Sequence, residues 1–125
     1  MEEYVLQEET YRIIGICMEI HRILGHGFAE VVYKDAIEIE VNASQIETCR
    51  EKEYPVYYKN ILLKHKFYAD FVMFGNIIVE IKATAKGITN ECIAQVINYL
   101  KVSGCPVALI INFGRKSLEY KRIVY

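Results

Sequence analysis

Two stretches of sequence decide the fold of this chain, FYADFVMF at residues 67–74 and IIVEIKA at residues 77–83. Both are rich in β-branched and aromatic residues, which predicts two neighbouring strands that are buried on at least one face. Asp70 lies within the first stretch, and Glu80 and Lys82 lie within the second. A carboxylate buried without a partner costs several kcal/mol, so these acids need a cation, hydrogen bonds or a raised pKa.

The two acids and the lysine form the set that a phosphodiester hydrolase dependent on Mg2+ (or Mn2+) needs. Mg2+ prefers hard oxygen ligands, which Asp70, Glu80 and the backbone carbonyl of Ile81 would supply beside a phosphate. The ion would polarise the phosphoryl oxygen and activate a water molecule, which Lys82 would orient. Because two close carboxylates repel each other, removal of the metal should raise the pKa of one of them.

The loop between the two strands decides whether the acids meet. Successive side chains of a strand point to opposite faces, so a two-residue loop at Gly75-Asn76 would set Asp70 opposite Ile81, on the wrong side. A three-residue loop, a bulge or splayed strands would set Asp70 against Glu80. The catalytic interpretation therefore predicts one of these irregularities. In the alternative interpretation, Glu80 and Lys82 are solvated residues in ordinary cross-strand ion pairs.

The rest of the pattern predicts an α/β fold with a mixed sheet flanked by helices. Apolar residues at three- and four-residue steps predict helices at about residues 8–24, 29–42 and 89–102. Strands are predicted at residues 53–58, 66–74, 77–83, 107–112 and 118–125, with the last at a sheet edge. The element order is thus ααβββαββ. The strand–helix–strand unit of residues 77–112 should pair its two strands in parallel.

Composition favours a single domain over residues 1–125. The chain is 53% hydrophobic, which excludes a disordered protein. No apolar stretch is long enough to span a bilayer and the acidic start lacks the layout of a signal peptide, so we expect a cytoplasmic protein without membrane association. None of the four cysteines forms a CxxC pair, which argues against a zinc site. A net charge of -1 means that nucleic acid binding would need a local basic patch.

Several motifs outside the two strands resemble a known family. GFAEVVY at residues 27–33 matches the signature G-x-x-E-x-x-Y, and QVINY follows at residues 95–99. With Asp70 and the EIK triplet at residues 80–82, these motifs make the chain similar to the GxxExxY family of the PD-(D/E)xK nuclease-like superfamily. The similar segments keep the family's order from about residue 11 to residue 124. One departure is His26, where the family often has proline.

The resemblance implies a restriction-endonuclease-like core and a role for each matching residue. Asp70 and Glu80 would be the main metal ligands, with Glu30 as an additional acid near the metal. Lys82 would be the catalytic lysine, and Gln95 would position substrate or a metal-bound water. Three further residues are candidates for supporting roles: His21, Tyr33 and Tyr99.

Packing roles stay open for some of these residues. Gln95 and Tyr99 are one helical turn apart, so they could form a boundary pair that packs against the sheet. His21 lies on the predicted apolar stripe of the first helix, which favours a buried structural histidine over a general base. That stripe consists of Ile14, Cys17, Met18, His21 and Leu24.

The leading hypothesis is a Mg2+-dependent nuclease that acts on nucleic acid, with DNA as the expected substrate. The alternative is a non-catalytic module that binds nucleic acid or a protein partner on the same fold. A metal-free site filled by a Lys82–Glu80 ion pair would favour that alternative. Because the chain has no room for a separate target-recognition domain, we expect specificity to come from a homodimer or a larger complex.

Overall fold

The computed structural model describes residues 6–125 and has the element order that the sequence predicts. The elements are α1 (Gln7–Leu24), α2 (Glu30–Ala43), β1 (Thr48–Tyr58), β2 (Ile61–Met73), β3 (Ile77–Lys82), α3 (Asn90–Ser103), β4 (Val107–Asn112) and β5 (Glu119–Val124). The predicted α/β fold with a mixed sheet flanked by helices is therefore confirmed. The acidic start, which entered the signal-peptide prediction, lies outside the described residues.

The five strands form one sheet in the order β1-β2-β3-β4-β5. Strands β1, β2 and β3 are antiparallel neighbours, β3 and β4 are parallel, and β5 is antiparallel to β4. The parallel pair joined through α3 is the predicted crossover, and β5 occupies the predicted edge. Every residue of β4 is buried because helices cover both faces of the sheet at this position.

Two apolar layers lie on opposite faces of the sheet. Helices α1 and α2 pack against a layer that includes Phe71, Val79 and Leu109. Helix α3 packs against the other layer, which includes Ile78 and Val72. Removal of these side chains from water is the main favourable contribution to folding. Side chains alternate along a strand, so Glu80 and Lys82 lie on the same face of β3 as Ile78, which is the face that α3 covers.

The buried face of α1 differs from the predicted stripe. Ile13, Cys17 and Ile20 are buried, whereas Met18 is 48% exposed and Ile14 is only partly buried. Both sets of residues have helical spacing, so periodicity alone did not distinguish the two faces. Contact with the sheet selects the face that carries Ile13 and Ile20.

The β1–β2 hairpin is longer than the sequence predicts. Strand β1 begins at Thr48 and β2 at Ile61, whereas the predicted strands begin at residues 53 and 66. The charged run CREK at residues 49–52 belongs to an edge strand, and the tip of β2 is exposed, so neither shows a buried alternating pattern. The predicted turn at Lys59-Asn60 is confirmed, with left-handed φ values of 49° and 64°.

Helix α3 has a cap at each end, as the sequence predicts. The Thr89 side chain accepts a hydrogen bond from the backbone N–H of Cys92, and Gly104 ends the helix with a φ of 74°. These caps define where the helix begins and ends after β3, the strand that carries Glu80. Within residues 6–125, no helix is both long and apolar enough to cross a membrane.

Candidate active site

A three-residue loop joins β2 to β3 and sets the register of the two acids. Met73 pairs with Ile77, so the loop consists of residues 74–76. Its first two residues have left-handed φ values of 55° and 72°. In this register Asp70 comes opposite Glu80 on the neighbouring strand. The predicted odd-length loop is therefore confirmed.

The two strands separate at the acids. Regular pairing ends where Phe71 meets Val79. One position further, Glu80 Oε1 accepts a hydrogen bond from the backbone N–H of Asp70 at 2.9 Å. Asp70 Oδ2 accepts another from the backbone N–H of Ile81 at 2.8 Å. The two residues are only 8% and 4% exposed, so these bonds satisfy carboxylate oxygens that water barely reaches.

Burial raises the pKa of Glu80 to about 8, and the nearby charge of Asp70 contributes in the same direction. The backbone hydrogen bond from Asp70 and the charge of Lys82 lower this pKa, but by less. The sequence predicts both burial and charge repulsion as causes of a raised pKa, and burial is the larger of the two for Glu80. In the absence of a metal, Glu80 is therefore mostly protonated at neutral pH.

A lysine that the sequence pattern did not indicate lies among three acids. Lys34 Nζ is 2.7 Å from Asp70 Oδ1. It is also 3.3 Å from Glu51 Oε1 and 3.4 Å from Glu30 Oε2. Burial by itself lowers the pKa of Lys34, but the hydrogen bond to Asp70 and the charges of the three acids raise it above its ordinary value. The ammonium is therefore charged and serves as the counter-ion of Asp70.

Local structure explains how these residues come together. Glu30 is the first residue of α2 and Lys34 lies one turn later, so both are on the same side of the helix. Glu51 lies opposite Asp70, between two β1 residues that pair with the neighbours of Asp70. The spacing of Glu30 and Lys34 is a signal that the sequence contains. The position of Glu51 depends on strand register, which local patterns do not reveal.

Lys82 is the last residue of β3. It lies two residues after Glu80 and therefore on the same face of the strand. Its side chain is partly buried and makes no hydrogen bond or ion pair within residues 6–125. The Lys82–Glu80 ion pair that would favour a non-catalytic module is therefore not formed in the described part of the chain. The ion pair of Lys34 with Asp70 fills the site instead.

Gln95 and Tyr99 occupy different environments although they are one turn apart on α3. Tyr99 is 6% exposed and its ring meets that of Phe67 edge-on at 5.5 Å. Gln95 is exposed, and its side chain makes no hydrogen bond to the acids within the described residues. Tyr99 is thus a packing residue here, whereas the amide of Gln95 is free to contact a bound molecule.

Tyr33 and His21 support the loop regions around the site. The Tyr33 hydroxyl donates to the carbonyl of Gly25 at 2.7 Å, and its ring stacks on Phe113 with the centroids 4.4 Å apart. His21 Nε2 lies 2.8 Å from the carbonyl oxygen of Arg115. Both side chains therefore hold loops in place, although His21 is half-buried rather than buried as the sequence predicts.

The donor set has the chemistry for a hard divalent cation, although it holds an ammonium here. Carboxylate oxygens suit Mg2+ and Mn2+. Across residues 6–125, no three Asp, Glu, His or Cys side chains converge as a metal site in this arrangement. The Lys34 ammonium, 2.7 Å from Asp70, is the cation that pairs with this acid in place of a metal ion. The carboxylate oxygens are thus of the kind that a divalent ion prefers, and the Lys34 ammonium occupies Asp70 in this arrangement.

Comparisons with known proteins agree with this architecture. The profile of the PD-(D/E)XK nuclease superfamily matches residues 7–123. The crystal structure of SSO0001 is similar, with a TM-score of 0.59 and 18% identity over 98% of this chain. The match spans 61% of the SSO0001 chain, and at this identity the similarity concerns the fold alone. No curated protein matches the sequence.

Proposed function

Because this chain belongs to the PD-(D/E)XK nuclease superfamily, we propose that it is a metal-dependent nuclease that hydrolyses phosphodiester bonds in DNA. One observation carries the proposal: two buried acids, Asp70 and Glu80, face each other where their strands separate. A buried carboxyl with a strongly raised pKa, such as Glu80, is costly for stability, and such groups concentrate at functional sites. The motif at residues 27–33 further supports membership of the GxxExxY family.

Four groups would hold Mg2+ or Mn2+ in this proposal: the carboxylates of Asp70, Glu80 and Glu30, and the backbone carbonyl of Ile81. When bound, the ion supplies positive charge at the phosphate and makes a coordinated water more acidic. Glu80 would give up the proton that burial makes it hold, and its carboxylate would then be available as a ligand. Shared coordination of one ion would then hold Asp70 and Glu80 together in a single charged site.

Lys82 would orient the attacking water and offset the negative charge that develops on the phosphorus oxygens. Its position on the Glu80 face of β3 supports this role, as does an ammonium without an ion pair within residues 6–125. Gln95 would contact the substrate, since its exposed amide is free on the helix that follows the site strand.

The proposed partner is nucleic acid, bound by one domain that works as a homodimer or within a larger complex. Apolar residues exposed on the β1–β2 hairpin support an assembly, because soluble monomers rarely expose such patches without a function. The exposed side chains at this tip are Tyr57, Tyr58, Ile61 and Leu62. Analytical ultracentrifugation with and without an oligonucleotide would identify the assembly.

Cleavage assays on plasmid DNA and on DNA and RNA oligonucleotides, with Mg2+ or Mn2+, test the nuclease proposal. We expect wild-type protein and the exposed-lysine control Lys101→Ala to cleave DNA, and we expect EDTA to stop cleavage. Lys82→Ala should lower the rate by about 100-fold or more, the usual scale for loss of a group that acts only in the transition state. Equal cleavage by Lys82→Ala would indicate a contaminating nuclease, and no cleavage by metal-loaded wild type would reject the proposal.

A second candidate function is a non-catalytic module that binds nucleic acid or a protein. The ion pair between Lys34 and Asp70 favours it, because it orders the site without a metal. Such a module would bind oligonucleotides equally well in EDTA and in Mg2+ and would leave them intact. Binding that strengthens with Mg2+ would instead favour the nuclease.

A further inference from the structure

We infer that Lys34 is a positioning residue that competes with the metal: its ammonium and a divalent cation occupy the Asp70 carboxylate in turn. The inference rests on the proposed function, because it takes the acids to be a divalent-cation site. It adds two residues, Lys34 and Glu51, to that site.

One carboxylate oxygen of Asp70 accepts a backbone hydrogen bond, which leaves the other oxygen to contact a cation. Asp70 Oδ2 accepts the backbone N–H of Ile81, and Lys34 Nζ contacts Oδ1 at 2.7 Å. The side chains of Lys34 and Asp70 are each only 12% exposed, so the ammonium fills the approach to Oδ1. A cation that binds this oxygen must therefore displace the ammonium.

The charges around Lys34 favour exchange for a divalent ion. Its single ammonium faces three carboxylates, from Asp70, Glu51 and Glu30. One positive charge does not balance three negative charges, and Coulomb attraction to each carboxylate doubles for a divalent ion at equal distance. Dehydration of the ion opposes this gain, which makes the exchange depend on metal concentration.

Glu51 can remain the ion-pair partner of the Lys34 ammonium after a metal ion displaces it from Asp70. It already lies 3.3 Å from Lys34 Nζ, and its side chain is 52% exposed, so it lies on the solvent side of the cluster. The lysine side chain is long and flexible, and a small outward movement would keep the contact with Glu51 while it frees Asp70. In the metal-free protein, Lys34 thus holds the Asp70 side chain in place through the contact at Oδ1.

Calorimetric titration with Mn2+ alone, without nucleic acid, tests this competition. We expect Lys34→Met to bind Mn2+ about tenfold more tightly than wild type, a difference of about 1.4 kcal/mol. Lys82→Met is the matched control, because it removes a nearby positive charge that does not contact Asp70. Its effect should be clearly smaller than that of Lys34→Met, and Lys66→Met, which removes a distant lysine paired with Glu53, should have no effect.

The outcomes separate the inference from the proposed function. If Lys34→Met binds Mn2+ no more tightly than wild type, or gains no more than Lys82→Met, the competition is rejected and the metal site stands. If neither wild type nor any variant binds Mn2+, the proposed metal-dependent function is rejected together with it.

A second measurement uses the wild-type chain and does not depend on how a variant folds. Lysine acetylation by a limiting reagent, followed by mass spectrometry, reports how accessible each ammonium is. Saturation with Mn2+ should increase the labelling of Lys34 several-fold relative to EDTA, with Lys66 as an unchanged internal reference. Equal or lower labelling of Lys34 while Mn2+ is bound would overturn the inference.

Discussion

The carboxylates of Asp70 and Glu80 each accept a hydrogen bond from the main chain of the other residue's strand, at distances of 2.8 and 2.9 Å. In a regular antiparallel ladder such N–H groups would donate to backbone carbonyl oxygens of the neighbouring strand. The acids therefore open the sheet locally and take the place of part of its backbone pairing. The protonation of Glu80 and the counter-ion of Asp70 should then control both stability and metal binding.

The stability of the metal-free protein should depend on pH through Glu80. Its pKa is about 8 in the folded protein, against 4.5 for an ordinary glutamate, which we take for the unfolded chain. Between these values the folded state holds a proton that the unfolded state has lost, so the free energy of unfolding falls as pH rises from 4.5 to 8. Glu80→Gln has no such proton and should become more stable relative to wild type across this range.

Urea unfolding in EDTA at several pH values measures this effect. The glutamine side chain keeps an oxygen that can accept the backbone N–H of Asp70, so the variant tests charge more than shape. Glu91→Gln, which changes an exposed glutamate on α3, should follow the wild-type profile. Parallel profiles for wild type and Glu80→Gln would contradict the assignment of a buried protonated acid.

Tyr33→Phe should destabilise the protein by about 1 kcal/mol, the usual net value of a hydrogen bond. The variant loses the bond from the hydroxyl to Gly25 and the one that the hydroxyl accepts from Phe28, while its ring can still stack on Phe113. Urea unfolding checks the value, with the exposed Tyr57→Phe as a control that should change nothing. Full stability together with lost DNA cleavage would show instead that the Tyr33 hydroxyl acts in catalysis.

Asn112→Leu should cost about 3 kcal/mol, because it leaves half-buried backbone groups of Thr84 and Gly114 without their partners. Asn112 is fully buried, and its side-chain oxygen accepts backbone N–H groups of Thr84 and Gly114. Its amide nitrogen donates to the Thr84 carbonyl and to Glu119. These bonds fix the segment that follows β3. Thermal and urea unfolding measure the cost, and the exposed Asn98→Leu provides the control; equal stability of the two variants would refute this role.

Much of the fold was predictable because its core strands are marked by apolar runs. The run at residues 107–112 predicted a strand covered on both faces, and β4 has the same bounds. An irregular connection between β2 and β3 was predictable from a chemical requirement, since a regular two-residue loop would keep Asp70 and Glu80 apart; the structure has the odd-length alternative, a loop of residues 74–76. Periodicity left two possible faces for α1, and only packing against the sheet separates them.

The counter-ion of Asp70 was not predicted, because it depends on contacts between distant segments. Lys34 is 36 positions from Asp70 in sequence, and its i,i+4 spacing from Glu30 is equally typical of an ion pair on a solvated helix face. Glu51 lies in a charged run without the alternating apolar pattern that predicts a strand. Its position opposite Asp70 therefore follows only from the β1–β2 register. The two candidate acids can be recognised from sequence motifs, whereas the lysine that pairs with Asp70 cannot.

Calorimetric titration of wild type and Asp70→Asn with Mn2+ tests most directly whether the acids form a divalent-cation site. Asparagine keeps the shape of Asp70 and an oxygen that can accept the backbone N–H of Ile81, so circular dichroism should show an intact fold. We predict saturable binding by wild type, at one ion per chain or at most two, and its loss in Asp70→Asn. Equal binding by the two proteins, or no binding by wild type, would contradict the central claim.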